Sequence, residues 1–161
     1  MNLREKLKES QYSNHKLSLL IATGGLVGFI PPCPGTYGAL QGLFLYGLLK
    51  SSPLWQHLII ALVLTLLGII SSEILVKNSS QKDPDEVIID EIAGIYLACL
   101  GKESIMELTL VLIVFRIIDI KKPFPLKKLE QLRGGLGIML DDVLAGIITN
   151  ILVILIVAAI N

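Results

Sequence analysis

At 161 residues with a formal net charge of zero, the chain is 53% hydrophobic and 17% charged, with a mean hydropathy of +0.71. The length suits one domain over 1–161, and the balance is more apolar than that of soluble domains, in which about a quarter of residues are charged. Net neutrality and the lack of aromatic stacking platforms or RNA-binding motifs argue against a nucleic-acid partner, and the two cysteines, Cys33 and Cys99, supply neither a disulfide framework nor metal-ligand spacing.

The opening MNLREKLKES makes 1–16 a polar N-terminal segment. It is not followed by the short apolar core and small-residue cleavage site of a removed signal peptide. Residues 17–30 carry Gly24, Gly25 and Gly28 and run into PPCPG, which suits an interfacial or re-entrant element better than a full span. Apolar rods follow at 38–49, 58–72, 87–100, 105–118 and 143–160, the last interrupted only by Asn150. A membrane-crossing helix takes about 20 apolar residues. Residues 143–160 approach that figure, and 54–76 reach it with Glu73 at an interface. The expected fold class is all-α: a compact multi-helix bundle of short apolar helices with active-site loops on one face.

Charge placement argues for a membrane. If the rods from 38–49 onward alternate up and down, one end collects twelve of the 14 basic residues and the other only Lys50 and Lys102. The 14 acids divide likewise, with Glu103 and Glu107 alone at the far end. This is the asymmetry of a cytoplasmic face under the positive-inside rule. A soluble bundle has no reason to strip one end of charge. His57, at the bare end, reads as an interface residue.

Four polar motifs fall at the charged end. In PPCPGTYGAL, Pro34-Gly35 makes a turn and Thr36 is placed to cap the following helix. Such an N-terminus offers free N–H groups to a phosphate, although an ordinary capped turn is the commoner use of these residues. In DPDEVIIDEIAGIYLACL, Asp83-Pro84-Asp85 is turn chemistry, whereas Asp90 and Glu91 lie inside an apolar run. Neighbours on a helix point about 100° apart, so the two acids face different surroundings. Asp90 shares a face with Gly94, whose missing side chain leaves space beside it. A salt bridge is the plainer role for such acids, and a functional one the sharper.

In FRIIDIKKPFP, Arg116 and Asp119 are three apart and share a helical face. Pro123 disfavours helix at Lys122, so the rod ends there with basic residues at its mouth. Arg116 and Asp119 pair with each other, or Arg116 grips a phosphate while Asp119 binds a metal. In GGLGIMLDDVLAG, three glycines allow a close-approaching loop, and Asp141 and Asp142 follow in the first turn of the last rod. Capping explains one aspartate there, not two.

Asp90, Glu91, Asp119, Asp141 and Asp142 thus make a carboxylate cluster drawn from three rods, with Arg116, Lys121 and Lys122 beside it. Oxygen-only ligands suit a hard cation, and Mg²⁺ combines a few carboxylates with phosphate oxygens and water. The expected chemistry is phosphoryl transfer or hydrolysis at a membrane surface. His15 and His57 lie outside all four motifs, and no phosphate-binding glycine loop, dinucleotide fingerprint or nucleophile elbow occurs.

Taken in order, ATGGLVGFIPPCPGTYGAL, VIIDEIAG, FRIIDIKKPFP and GGLGIMLDDVLAG resemble the phosphatidylglycerophosphatase A family, over about Ala22 to Gly146. The resemblance implies a Mg²⁺-dependent lipid phosphatase of bacterial phospholipid synthesis. Such an enzyme removes the terminal phosphate of phosphatidylglycerophosphate, in the inner membrane with its site toward the cytoplasm. The implied partners are the phospholipid substrate and the bilayer, with the oligomeric state open. On this reading Asp90, Glu91, Asp141 and Asp142 supply the metal site, and Asp119 is a further ligand or orients the attacking water. Arg116 and Lys122 hold the phosphate, with Lys121, Thr36 and the Gly35 amide region as a secondary cradle. Two other readings stand beside it: a small membrane cation carrier, and a soluble helical phosphatase of another phosphomonoester.

Overall fold

The apolar rods become helices because nothing inside them interrupts the backbone ladder, and prolines and glycines mark where each stops. The computed structural model describes residues 15–77, 84–129 and 131–160. In chain order these form α1 (Lys16–Ala22), a 3-10 turn (Val27–Phe29), α2 (Pro34–Leu49), α3 (Leu54–Lys77), α4 (Ile89–Ala98), α5 (Ile105–Lys121), α6 (Leu126–Leu129) and α7 (Gly135–Ile160). The described residues contain no strand, as an all-α chain requires. Residues 1–14 of the polar segment, together with Lys82 and Asp83, lie outside the described residues.

The rods alternate in direction. At one end Glu73, late in α3, accepts a hydrogen bond from the Gly135 N–H that opens α7 (2.8 Å). At the other, the Lys50 ammonium after α2 donates to the Glu103 carbonyl ahead of α5 (3.4 Å). There too the start of α5 and the end of α7 meet around Met106, Ile156 and Ile160. Each α5 terminus follows from local sequence. Ser104 and Glu107 form a reciprocal capping box at its start, and Lys122 turns left-handed (φ 39°) ahead of Pro123 at its end.

The short α4 is the axle of the bundle. Ile89, Ile92, Ala93, Gly94, Ile95, Tyr96 and Ala98 are all buried, and the helix packs against α7, α2, α3 and α5. Expected as space beside Asp90, Gly94 is instead where α7 closes in. A Cβ on Gly94 would lie 2.6 Å from the Asp142 carbonyl oxygen, and one on Gly146 would lie 2.1 Å from that of Gly94. Backbones that approach so closely admit no side chain at either position.

Ending at Ala98, α4 leaves its last carbonyls without partners in the helix ladder, at the buried side of the bundle. Asn150 on α7 answers them: its Nδ2 donates to the carbonyls of Ala98 (2.9 Å) and Leu100 (2.8 Å). His57, expected at the interface, is likewise turned inward. It is buried, with Nδ1 2.8 Å from the Tyr96 hydroxyl, because Tyr96 would otherwise bury an unpartnered O–H.

The outer helices face the other way. Both α3 and α7 are long and apolar enough to cross a bilayer, and only 28% and 22% of their most apolar stretches are buried. The core helix of a soluble protein is mostly buried. These two expose rows of large apolar side chains, Leu58, Leu62, Leu66 and Ile70 on α3 and Ile147, Ile151, Ile154 and Leu155 on α7.

Candidate active site

All four polar motifs meet in one pocket of about 340 Å³ at the end of the bundle where α2, α4 and α7 begin and α5 stops. The α2 entry supplies Cys33, Pro34 and Gly35. Pro84, Asp85, Val87, Asp90 and Glu91 come from the approach to α4 and its first turn. Arg116, Asp119 and Lys122 come from α5, and Asp142 from α7.

Asp90, Glu91 and Asp142 each bring a carboxylate oxygen within 4.8 Å of the others. Two of the acids sit in the first turn of α4, where the helix dipole favours negative charge. Burial remains costly, and Asp142 is 2% exposed. Burial, reinforced by the charge of Asp142, pushes the Glu91 carboxyl from its ordinary 4.5 up to about 8.

The basic side is held by two ion pairs. Arg116 Nη1 donates to Asp119 Oδ2 and lies 3.9 Å from Glu91 Oε1. Lys122 Nζ lies 2.7 Å from Asp141 Oδ2. The adjacent aspartates therefore part company, Asp142 turning into the carboxylate trio and Asp141 to the lysine, as the 100° between helical neighbours requires. Gly35 lets α2 come this close: a Cβ there would lie 2.0 Å from Glu91 Oε1 and 3.1 Å from Arg116 Nη1.

The remaining sequence candidates fall outside the pocket lining. Thr36 does not cap α2, because the N-cap position is Cys33 with Pro34 in the first turn, which leaves Thr36 inside the helix. Lys121 is exposed on the surface beside the pocket. Asp141 and Asp142 are not in a first turn either. The last helix begins at Gly135, and both acids are buried about two turns in. Asp85, read from sequence as turn chemistry, and Cys33, given no site role there, both line the pocket, and no local sequence signal marks them out.

The residues present suit a hard divalent cation. Glu91 Oε2 and Asp142 Oδ2 are buried with no hydrogen-bond partner among the described residues. Buried carboxylate oxygens are left so only at a cost, which a cation removes.

Clustered acids flanked by a guanidinium and an ammonium in a pocket are the equipment of an enzyme acting on a phosphate ester, and the chain is a phosphatase. The family model "Phosphatidylglycerophosphatase A" matches residues 20–157, and the chain belongs to this family. It is 36% identical over 146 residues to a Bacteroides thetaiotaomicron protein named "Putative phosphatidylinositol-3-phosphatase", covering 85% of this chain and 91% of the relative. The Haemophilus influenzae phosphatidylglycerophosphatase A is 36% identical over 139 residues (83% and 85%). The Escherichia coli protein of that name is 28% identical over 133 residues (81% and 77%). No solved structure matches.

Proposed function

We propose that the protein hydrolyses the terminal phosphate of phosphatidylglycerophosphate, releasing phosphatidylglycerol and inorganic phosphate, with Mg²⁺ as cofactor and from within the bacterial inner membrane. The observation that carries this reading is the convergence of Asp90, Glu91 and Asp142 within 4.8 Å beside Arg116 and Lys122. The relatives named for this lipid support the choice of substrate. The outward-facing apolar rows of α3 and α7 support a bilayer around the bundle, and the gathering of basic residues at the pocket end supports a cytoplasmic site.

Each side chain has a task that its position allows. Asp90, Glu91 and Asp142 hold the cation, which when bound neutralises charge on the phosphate and lowers the barrier to attack. Arg116 and Lys122 bind the phosphate oxygens opposite the acids and stabilise the charge that develops on them. The Arg116 Nε, buried without a partner among the described residues, is the donor available for a forked grip. Asp119, held by Arg116 at the pocket edge, orients the attacking water and accepts its proton. Asp141 keeps the Lys122 ammonium at the pocket wall.

A second reading, a phosphoinositide as substrate, draws on the name of the Bacteroides relative. Phosphate release decides between them. The purified protein in mixed micelles is given phosphatidylglycerophosphate, phosphatidylinositol 3-phosphate or a water-soluble phosphomonoester, with Mg²⁺ or with chelator. Preference for the glycerol lipid and dependence on Mg²⁺ are expected. Undiminished turnover in chelator sinks the cation assignment, and faster turnover of either other substrate sinks the choice of lipid.

A further inference from the structure

The corner that joins α5 to α7 is built differently from the rest of the surface. Between Ile120 and Leu136 the chain turns through Pro123 and Pro125 and the single-turn α6, with Leu126 as its buried anchor. The turn is closed by its own backbone hydrogen bonds, Leu126 N–H to the Pro123 carbonyl and Lys128 N–H to that of Pro125. From this firm base it turns apolar side chains outward: Ile120 is 73% exposed and Phe124 76%. Basic residues are set among them, and Lys127, Lys128 and Arg133 are all exposed. The Lys128 ammonium lies 5.1 Å from the centre of the Phe124 ring.

We infer that this corner is a docking surface for anionic phospholipid headgroups, with Phe124 inserted at the level of the ester groups and Lys127, Lys128 and Arg133 on lipid phosphates beside the pocket mouth. Charge complementarity selects the occupant. Residues 120–136 hold five basic side chains against one acid, Glu130, on a chain whose net charge is zero. An exposed phenylalanine among cations suits the water–lipid boundary, where aromatic rings settle and basic residues meet anionic headgroups. It suits bulk water poorly. Asp119 and Lys122 reach the pocket from the same corner, so lipid held there is delivered to the pocket mouth.

The inference rests on the bilayer-embedded reading, and one experiment separates the two. Trp55, the only tryptophan, is exposed at the start of α3, at the opposite end of the bundle. Wild-type protein and a Trp55→Phe, Phe124→Trp variant are placed in nanodiscs of phosphatidylcholine, with or without phosphatidylglycerol. Lipids carrying a nitroxide near the headgroup or at the tail end serve as quenchers. The tryptophan at position 124 is expected to be blue-shifted relative to water and quenched more by the headgroup-side label, more strongly in anionic discs than in neutral ones. Adding Lys127→Gln, Lys128→Gln and Arg133→Gln, or raising the salt, should erase the difference between the discs. A water-like, unquenched tryptophan at 124 beside a quenched Trp55 overturns the docking surface and leaves the membrane reading standing. If neither is quenched, both fall. A blue shift without lipid quenching, in a particle of doubled protein mass, assigns the corner to a second copy of the chain and also overturns the proposal.

Discussion

Lys122, just past the end of α5, places its ammonium 2.7 Å from Asp141 on α7, while Asp142 next to that acid turns into the carboxylate trio with Asp90 and Glu91. Two identical neighbours therefore answer differently to the same substitution. Asp142→Asn should cut kcat by roughly a hundredfold or more, as removal of a group that stabilises transition-state charge does, and raise the melting temperature in chelator by relieving repulsion. Asp141→Asn should raise KM and lower the melting temperature. Its stability cost should be about 3 kcal/mol at most, the low end for severing a buried pair, since the Lys122 side chain keeps 25% exposure. Steady-state kinetics and melting curves on both variants check the assignment, and matching behaviour of the two would refute it.

Glu91 makes the protein's stability depend on pH in a direction opposite to that of an ordinary ion-paired acid. Its carboxyl is raised in the fold from 4.5 to about 8, so the fold favours the protonated form. In chelator that contribution is complete below about pH 4.5 and is lost as the pH rises through about 8. Mg²⁺ should reverse the trend, with the melting-temperature gain on adding it growing with pH across this window. Glu91→Gln should flatten both curves. A chelated wild-type protein with a pH-independent melting temperature between 5 and 8 would count against a buried, cation-seeking Glu91.

Gly35→Ala probes the pocket without touching an acid. The new methyl group would displace Glu91 Oε1, 2.0 Å away, and crowd Arg116. Shifts of this size at a reacting centre cost roughly a hundredfold in rate. Melting should change little, because the displaced atom is the end of a side chain. A variant with normal kcat would show that the approach of α2 to Glu91 has no bearing on turnover.

Asn150→Ala should destabilise the fold by about 1–3 kcal/mol, the cost of leaving buried carbonyls without their donor. Asn150→Asp should not rescue it, because a carboxylate accepts where those carbonyls need a donor. Thermal unfolding in detergent gives the ranking, with wild type above both. Equal stability of the Asp and Asn forms would argue against the capping role.

Much of the architecture is legible in the residues themselves. The rods, their alternation, the end of α5 before Pro123 and the gathering of polar motifs at one end all follow from proline, glycine and charge placement. Boundaries inside apolar sequence are not legible. A helix that is apolar all round has no face, so nothing marks Gly135 rather than Asp141 as the start of α7. The roles of His57 and Asn150 are illegible for another reason. Their partners, Tyr96 and the carbonyls after Leu97, lie 39 and about 50 residues away in the chain, where no local pattern reaches. The different duties of Asp141 and Asp142 depend on which way α7 is rotated, and that is decided by its contact with α4.

The contact of Gly94 with Gly146 has a further consequence. Gly94 lies one helical turn beyond Asp90, and Gly146 one turn beyond Asp142. The point where the two backbones touch is therefore the fulcrum from which both acids project, and the width of the gap between them is set by a pair of residues that contribute no side-chain atom. A single methyl group at either would act as a shim, spreading the two carboxylates apart from a turn away.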